Sequence, residues 1–275
     1  VEAVGGDLQA VLPVVAAIGC SYISIVLVDD LLDDDPKGIY HRLGVGVTAN
    51  MALAFQTAAL RIVTEMEVGS EKKSQLLAEL LHLNLETARG QHLDVQPTLS
   101  ETHYWETVRA KSEPFYGAGF YLGALCGGAT IAAAEHLRRF GRIIGKMIQV
   151  SDDLADIYQI PACPDWYKGA GNLAILYARL ADYPEKTRFE ALLGQVDNLG
   201  ALEEAQNLLL QCGAASYCIY HLLQLAQEAR GLLNDCVLAR PDLLQQFLSD
   251  RIVHLFELME ANDIPLPEEL AAELL

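Results

Sequence analysis

The chain is short of positive charge: 19 Lys and Arg stand against 37 Asp and Glu in 275 residues, a formal net charge of -18. Such a surface repels a polyanion and no basic run offsets it, so nucleic acid is excluded as a partner. Cysteine spacing for metal is missing too. Cys20, Cys126, Cys163, Cys212, Cys218 and Cys236 form no CxxC pair and sit mostly in apolar runs. They read as small core residues of a reducing, cytoplasmic compartment. No GxGxxG, GxxxxGK or GxSxG occurs, which removes nucleotide-binding and serine-hydrolase readings. The seven histidines show no ligand spacing, and Trp105 and Trp166 read as packing anchors. Neither alternation of period two nor a hairpin signal is found, which argues against sheet. No Pro/Ser-rich linker divides the chain.

What is present is apolar and helical. Apolar residues make up 52% of the chain, enough to bury a substantial core. They recur at three- and four-residue steps over Met51 to Glu67, Glu71 to Arg89, Phe115 to Leu125, Ile131 to Ile160, Leu202 to Gln211, Ala215 to Asn234 and Pro241 to Ala261. Gly and Pro fall between these segments, as helix stops should. The expectation is one all-α domain over residues 1–275, of roughly eight to ten helices, forming a single bundle around a central apolar cavity.

Leu8 to Val28 is almost wholly apolar and long enough to cross a bilayer. It has no Lys or Arg on either flank, contains Pro13 and runs into DDLLDDD. These features favour a helix buried on all sides within a soluble protein.

Two acidic clusters carry the chemistry. Asp29, Asp30 and Asp33 form one DDxxD, with Asp34 and Asp35 following; Asp152, Asp153 and Asp156 form a second. On a helix, positions i and i+4 share a face, so the acids repel unless cations neutralise them. With 17 Asp in the chain, chance supplies about 0.06 copies of this pattern, and a solvated acidic face does not explain two. Both copies also follow apolar helix. Oxygen ligands without His or Cys suit Mg²⁺, which bridges carboxylates to substrate phosphates. Metal held there stabilises charge on a departing diphosphate, while apolar helices shelter a carbocation from water.

The ordered motifs resemble the trans-isoprenyl diphosphate synthases, the polyprenyl synthetases. Asp29-Asp30-Leu31-Leu32-Asp33 is similar to that family's first aspartate-rich motif. Gly90-Gln91-His92-Leu93-Asp94 resembles its GQxxD, and Lys111-Ser112 its Lys-Thr. Gln149-Val150-Ser151-Asp152-Asp153-Leu154-Ala155-Asp156 resembles the second motif, and Asp165 to Gly169 the later DxxxGK. The resemblance implies the isoprenoid synthase fold and a homodimer. It implies condensation of an allylic diphosphate with isopentenyl diphosphate, with at most transient membrane contact for product release. Asp29, Asp33 and Asp152 would then be the principal Mg²⁺ ligands, with Asp30, Asp153 and Asp156 in support. Lys111 would contact the allylic diphosphate and Gln149 would line the site beneath it. Arg42, Gln91, Asp94 and Lys168 would complete substrate binding.

There are departures. Where the family usually has an Arg pair after the first motif, this chain has Gly38 and Ile39, with Lys37 and Arg42 as the nearest replacements. Ala170 stands where a Lys usually follows Lys168-Gly169. The family's upstream basic motif for isopentenyl diphosphate is expected before Asp7 and is not in the sequence. Two alternatives follow: a class I terpene cyclase, or a non-catalytic partner subunit of a prenyl synthase. Ser21, Ser24 and Ile25 precede Asp29 by eight, five and four residues, one to two helical turns deeper. In relatives that stop at fifteen carbons this depth carries an aromatic floor; small residues here predict a product of twenty carbons or more. Tyr22 is the aromatic nearby.

Overall fold

Periodic apolar residues become helix along nearly the whole chain. The computed structural model describes residues 1–97, 100–168 and 171–261. Among these are a 3₁₀ turn at Glu2–Val4 and thirteen α-helices: α1 (Leu8–Asp33), α2 (Tyr40–Leu43), α3 (Val45–Glu65), α4 (Ser70–Asp94), α5 (Glu101–Lys111), α6 (Glu113–Cys126), α7 (Ile131–Asp156), α8 (Pro164–Lys168), α9 (Leu173–Leu180), α10 (Lys186–Leu193), α11 (Leu199–Gln211), α12 (Ala214–Asn234) and α13 (Pro241–Ala261). No strand occurs among the described residues. The architecture is all-α, as expected, with more helices than expected. The extra ones are α2, α5, α8, α9 and α10, too short or too polar to show a clear period.

Two compact units result. The first comprises residues 1–95, 107–145 and 232–244; the second comprises the described residues of 96–106, 146–231 and 245–275. In the first, α1 packs along α3 and touches α4 and α6. Val14, Ala17, Ala59, Val63, Leu76, Leu80, Leu83, Tyr121 and Leu122 form its centre. In the second, α9, α10 and α11 pack together, with Trp166 fully enclosed against Phe189.

Burial of α1 on all sides is not what the structure shows. Val11, Val14, Ala17, Ser21, Ser24 and Leu27 are buried, at three- and four-residue steps that make one stripe. Leu8, Leu12, Val15, Tyr22 and Ile23 on other faces are exposed. A helix apolar around its whole circumference has no pattern from which the buried face could be read. Asp7 caps its start by accepting from the Gln9 amide. Asp34 ends it in the left-handed region at φ 54°, which Asp tolerates better than most residues.

One buried ion pair ties the first unit together. Arg138 of α7 donates to both Glu79 oxygens of α4 at 2.7 and 2.6 Å and lies 3.8 Å from the Tyr121 ring centroid. Their side chains are 12% and 8% exposed, so removing one partner strands a charge out of water. Arg138→Met is expected to cost about 3–5 kcal/mol in urea unfolding. A loss below about 1 kcal/mol would show that water reaches Glu79 after all.

Candidate active site

The last turn of α1 presents the first acidic cluster within the first unit. One carboxylate oxygen each from Asp29, Asp33 and Asp94 lie within 4.8 Å of one another. Asp29 and Asp33 come from α1; Asp94 is the final residue of α4. Between them lies the ammonium of Lys111, at the end of α5. Its Nζ is 2.6 Å from Asp94 Oδ2, 2.9 Å from Asp29 Oδ1 and 4.0 Å from Asp33 Oδ2. Burial opposes the charge, but Asp94, then Asp29 and Asp33, hold the ammonium pKa well above the ordinary lysine value. Asp30 stands beside this group, its pKa raised by burial and then by Asp35, Asp29 and Asp33.

Gly90 sets this geometry. A methyl group on its Cα would overlap the backbone nitrogen of Lys111 and the carbonyl carbon of Ala110. Only a residue without Cβ lets α4 lie this close to the start of Lys111's side chain. Gln91 is buried at 4% exposure, and its Nε2 has no hydrogen-bond partner among the described residues. Arg42 and Lys37 are exposed, Arg42 in the last turn of α2.

The second cluster lies in the second unit, at the end of α7. Asp152 is exposed and Asp156 half-buried, whereas Asp153 is 2% exposed. Asp153 Oδ2 accepts from the Tyr104 hydroxyl at 2.6 Å and from the Leu173 amide at 2.8 Å, and Oδ1 accepts from Gln149 Nε2 at 3.0 Å. Burial, then Asp165, push its pKa up to about 8, while these three donors pull it down. Asn172, fully buried, caps α9 through Oδ1 and donates from Nδ2 to the Asp153 carbonyl. Asp153 and Asn172 therefore anchor the first turn of α9 to α7. Asp156 and Asp165 carboxylate oxygens and the Cys163 sulfur lie within 4.8 Å of one another. Burial, then Asp165, push the Cys163 thiol up to about 12, so the oxygens are the hard donors there. The side chain of Lys168 and residues Gly169 and Ala170 lie outside the described residues.

Tyr104 and Asn172 were not legible in the sequence as site residues. Their partner Asp153 is 49 positions from Tyr104, and neither belongs to a repeated motif. Ser21 and Ser24 are buried and Ile25 half-buried, while Tyr22 is half-exposed beside Phe115. The Ser21 hydroxyl has no hydrogen-bond partner among the described residues.

Known proteins resemble this chain in sequence and in fold. The geranylgeranyl diphosphate synthase of Methanosarcina mazei is 24% identical over 249 residues, covering 86% of this chain and 77% of its own. The geranylgeranyl diphosphate synthase of Mycobacterium tuberculosis is 30% identical over 211 residues, 74% of this chain and 59% of its own. The crystal structure of geranylgeranyl pyrophosphate synthetase from Pyrococcus horikoshii superimposes with a TM-score of 0.79 at 23% identity, covering 90% of this chain and 81% of that one; the fold is shared. The sequence profile described as polyprenyl synthetase matches residues 2–209. With both aspartate-rich motifs inside that span, the chain belongs to the polyprenyl synthetase family.

Proposed function

We propose that this protein is a Mg²⁺-dependent trans-prenyltransferase that condenses an allylic diphosphate with isopentenyl diphosphate. The observation that carries the reading is the convergence of Asp29, Asp33 and Asp94 around a lysine ammonium. Three carboxylates suit a hard divalent cation, and an ammonium beside them suits a diphosphate. Asp152 and Asp156 serve the same chemistry from the second cluster, with Asp30 adding charge near the first. Bound Mg²⁺ neutralises the departing diphosphate. Lys111 orients it, Gln91 and Arg42 extend the binding surface, and Lys168 contributes another positive charge. Gln149 and Asp153 act by holding the end of α7. The functional assembly is a cytoplasmic homodimer. A partner-subunit reading is kept because Gly38 and Ile39 replace the Arg pair. The 26% identical heptaprenyl diphosphate synthase component 2 of Geobacillus stearothermophilus also carries the name of one component of an enzyme.

Mg²⁺ with inorganic pyrophosphate tests the reading without turnover. A ligand at about 100 times its Kd stabilises the folded state by about 2.7 kcal/mol, so the melting temperature should rise. Neither component alone should match the shift. No shift with both at saturating concentration would contradict the metal–diphosphate site.

Small residues on the buried stripe of α1 support a product of twenty carbons or longer. Val14 on that stripe also lines an apolar cavity of about 290 Å³, together with Val11, Ile18, Phe115 and Phe120. Ser24 is 7% exposed, and a phenyl ring there would fill space a growing tail needs. Ser24→Phe should shorten the main product by at least one isoprene unit. An unchanged product distribution would show that the tail does not follow this stripe.

A further inference from the structure

Lys111 stands where two demands on the first cluster collide. The carboxylates nearest its Nζ, Asp94 at 2.6 Å and Asp29 at 2.9 Å, belong to the group with metal-ligand spacing. Asp94 Oδ2 also accepts a hydrogen bond from that ammonium. The Lys111 side chain is only 18% exposed, as is that of Asp94, so water screens these charges poorly. A divalent ion placed among Asp29, Asp33 and Asp94 would meet an ammonium already hydrogen-bonded to Asp94 and ion-paired with Asp29. Its backbone is fixed from below by Gly90, whose missing Cβ sets the closeness of α4 and α5. The side chain can therefore leave only by swinging its flexible stem, and it needs another anion to receive it.

We propose that the Lys111 ammonium is the resident counter-cation of the first cluster, competing with Mg²⁺ for Asp29 and Asp94. Metal then enters this cluster together with a diphosphate, which draws the ammonium onto its own oxygens. The inference rests on the metal–diphosphate reading above and adds to it an order of binding. Metal and diphosphate become coupled ligands, each improving the affinity of the other, and Lys111 is the residue through which they are coupled. Its role is thus more than a phosphate contact. It keeps bare metal out of the site until the diphosphate arrives.

The test reads metal binding and needs no turnover. Mn²⁺ is titrated into full-length protein carrying Asp152→Asn and Asp156→Asn, which silences the second cluster. Free Mn²⁺ is followed by electron paramagnetic resonance, with and without inorganic pyrophosphate. Lys111→Met in this background should bind Mn²⁺ alone about tenfold or more tightly than the background protein, and the tightening caused by pyrophosphate should shrink. Lys111→Arg keeps the charge and should bind Mn²⁺ alone as weakly as the background protein does. Should the Met variant not fold by circular dichroism, Lys111→Gln, which retains a donor for Asp94, takes its place with the same expectation. A folded neutral variant that binds Mn²⁺ alone no more tightly than the Lys111 protein overturns the proposal. Absence of Mn²⁺ binding in every variant, pyrophosphate included, overturns both the proposal and the metal reading beneath it.

Discussion

Gly90→Ala should remove at least about 99% of turnover, because a 1 Å misplacement of a positioned group costs on the order of 10²-fold. Alanine is ordinarily the better helix residue by about 1 kcal/mol. At Gly90 its methyl overlaps backbone atoms of Ala110 and Lys111, and no rotation of a side chain relieves a clash with backbone. Helices α4 and α5 have to separate, and overpacking of this kind costs about 1–3 kcal/mol. The separation carries Lys111 away from Asp29 and Asp94, with which it makes ion pairs of 2.9 and 2.6 Å. Gly19, in the middle of α1, has nothing within 4 Å of an added Cβ. Gly19→Ala should therefore stabilise by about 0.5–1 kcal/mol. Unfolding curves and steady-state rates on the two variants decide the matter. Full activity in Gly90→Ala would mean that the close approach of α4 and α5 does not position Lys111.

Adjacent acids in the second motif should fail in opposite ways. Asp152 is exposed, and removing one acid from a repulsive cluster costs little stability. Asp152→Ala, like Asp29→Ala in the first cluster, should lower turnover by about 10³-fold or more with the fold intact. Asp153 is enclosed and receives donors from Tyr104, Leu173 and Gln149. Asp153→Ala leaves these donors unpaired, at about 1–3 kcal/mol for a buried polar group, and frees the first turn of α9. Its thermal midpoint should fall by more than that of Asp152→Ala. Equal midpoints in the two variants would contradict the division of labour between ligand and anchor.

The two DDxxD motifs were legible because a short local spacing carries their meaning. Adjacent residues on one helix face stay adjacent whatever the tertiary fold. Asp94 and Lys111 are legible only through family resemblance, and in the structure they meet each other as well as Asp29. The anchors of Asp153 were hidden, since Tyr104 and Asn172 sit in unremarkable sequence and acquire a role only through contacts 49 and 19 positions away. Helix α5, ETHYWETVRAK, is not legible because its few apolar residues make no clear period. The apolar run of α1 misled in the other direction. Mean hydropathy announces a helix but says nothing of which face is covered, and the buried stripe from Val11 to Leu27 follows from neighbours on α3, α4 and α6.

Product formation tests the central claim most directly. Purified protein is incubated with isopentenyl diphosphate, Mg²⁺ and, in turn, allylic diphosphates of five, ten, fifteen and twenty carbons, and the products are identified by mass spectrometry. Allylic diphosphates of twenty carbons or more should accumulate, and chelating the metal should abolish them. If no allylic diphosphate is extended while Mg²⁺ and pyrophosphate still raise the melting temperature, the protein binds the ligands of a prenyl synthase without being one.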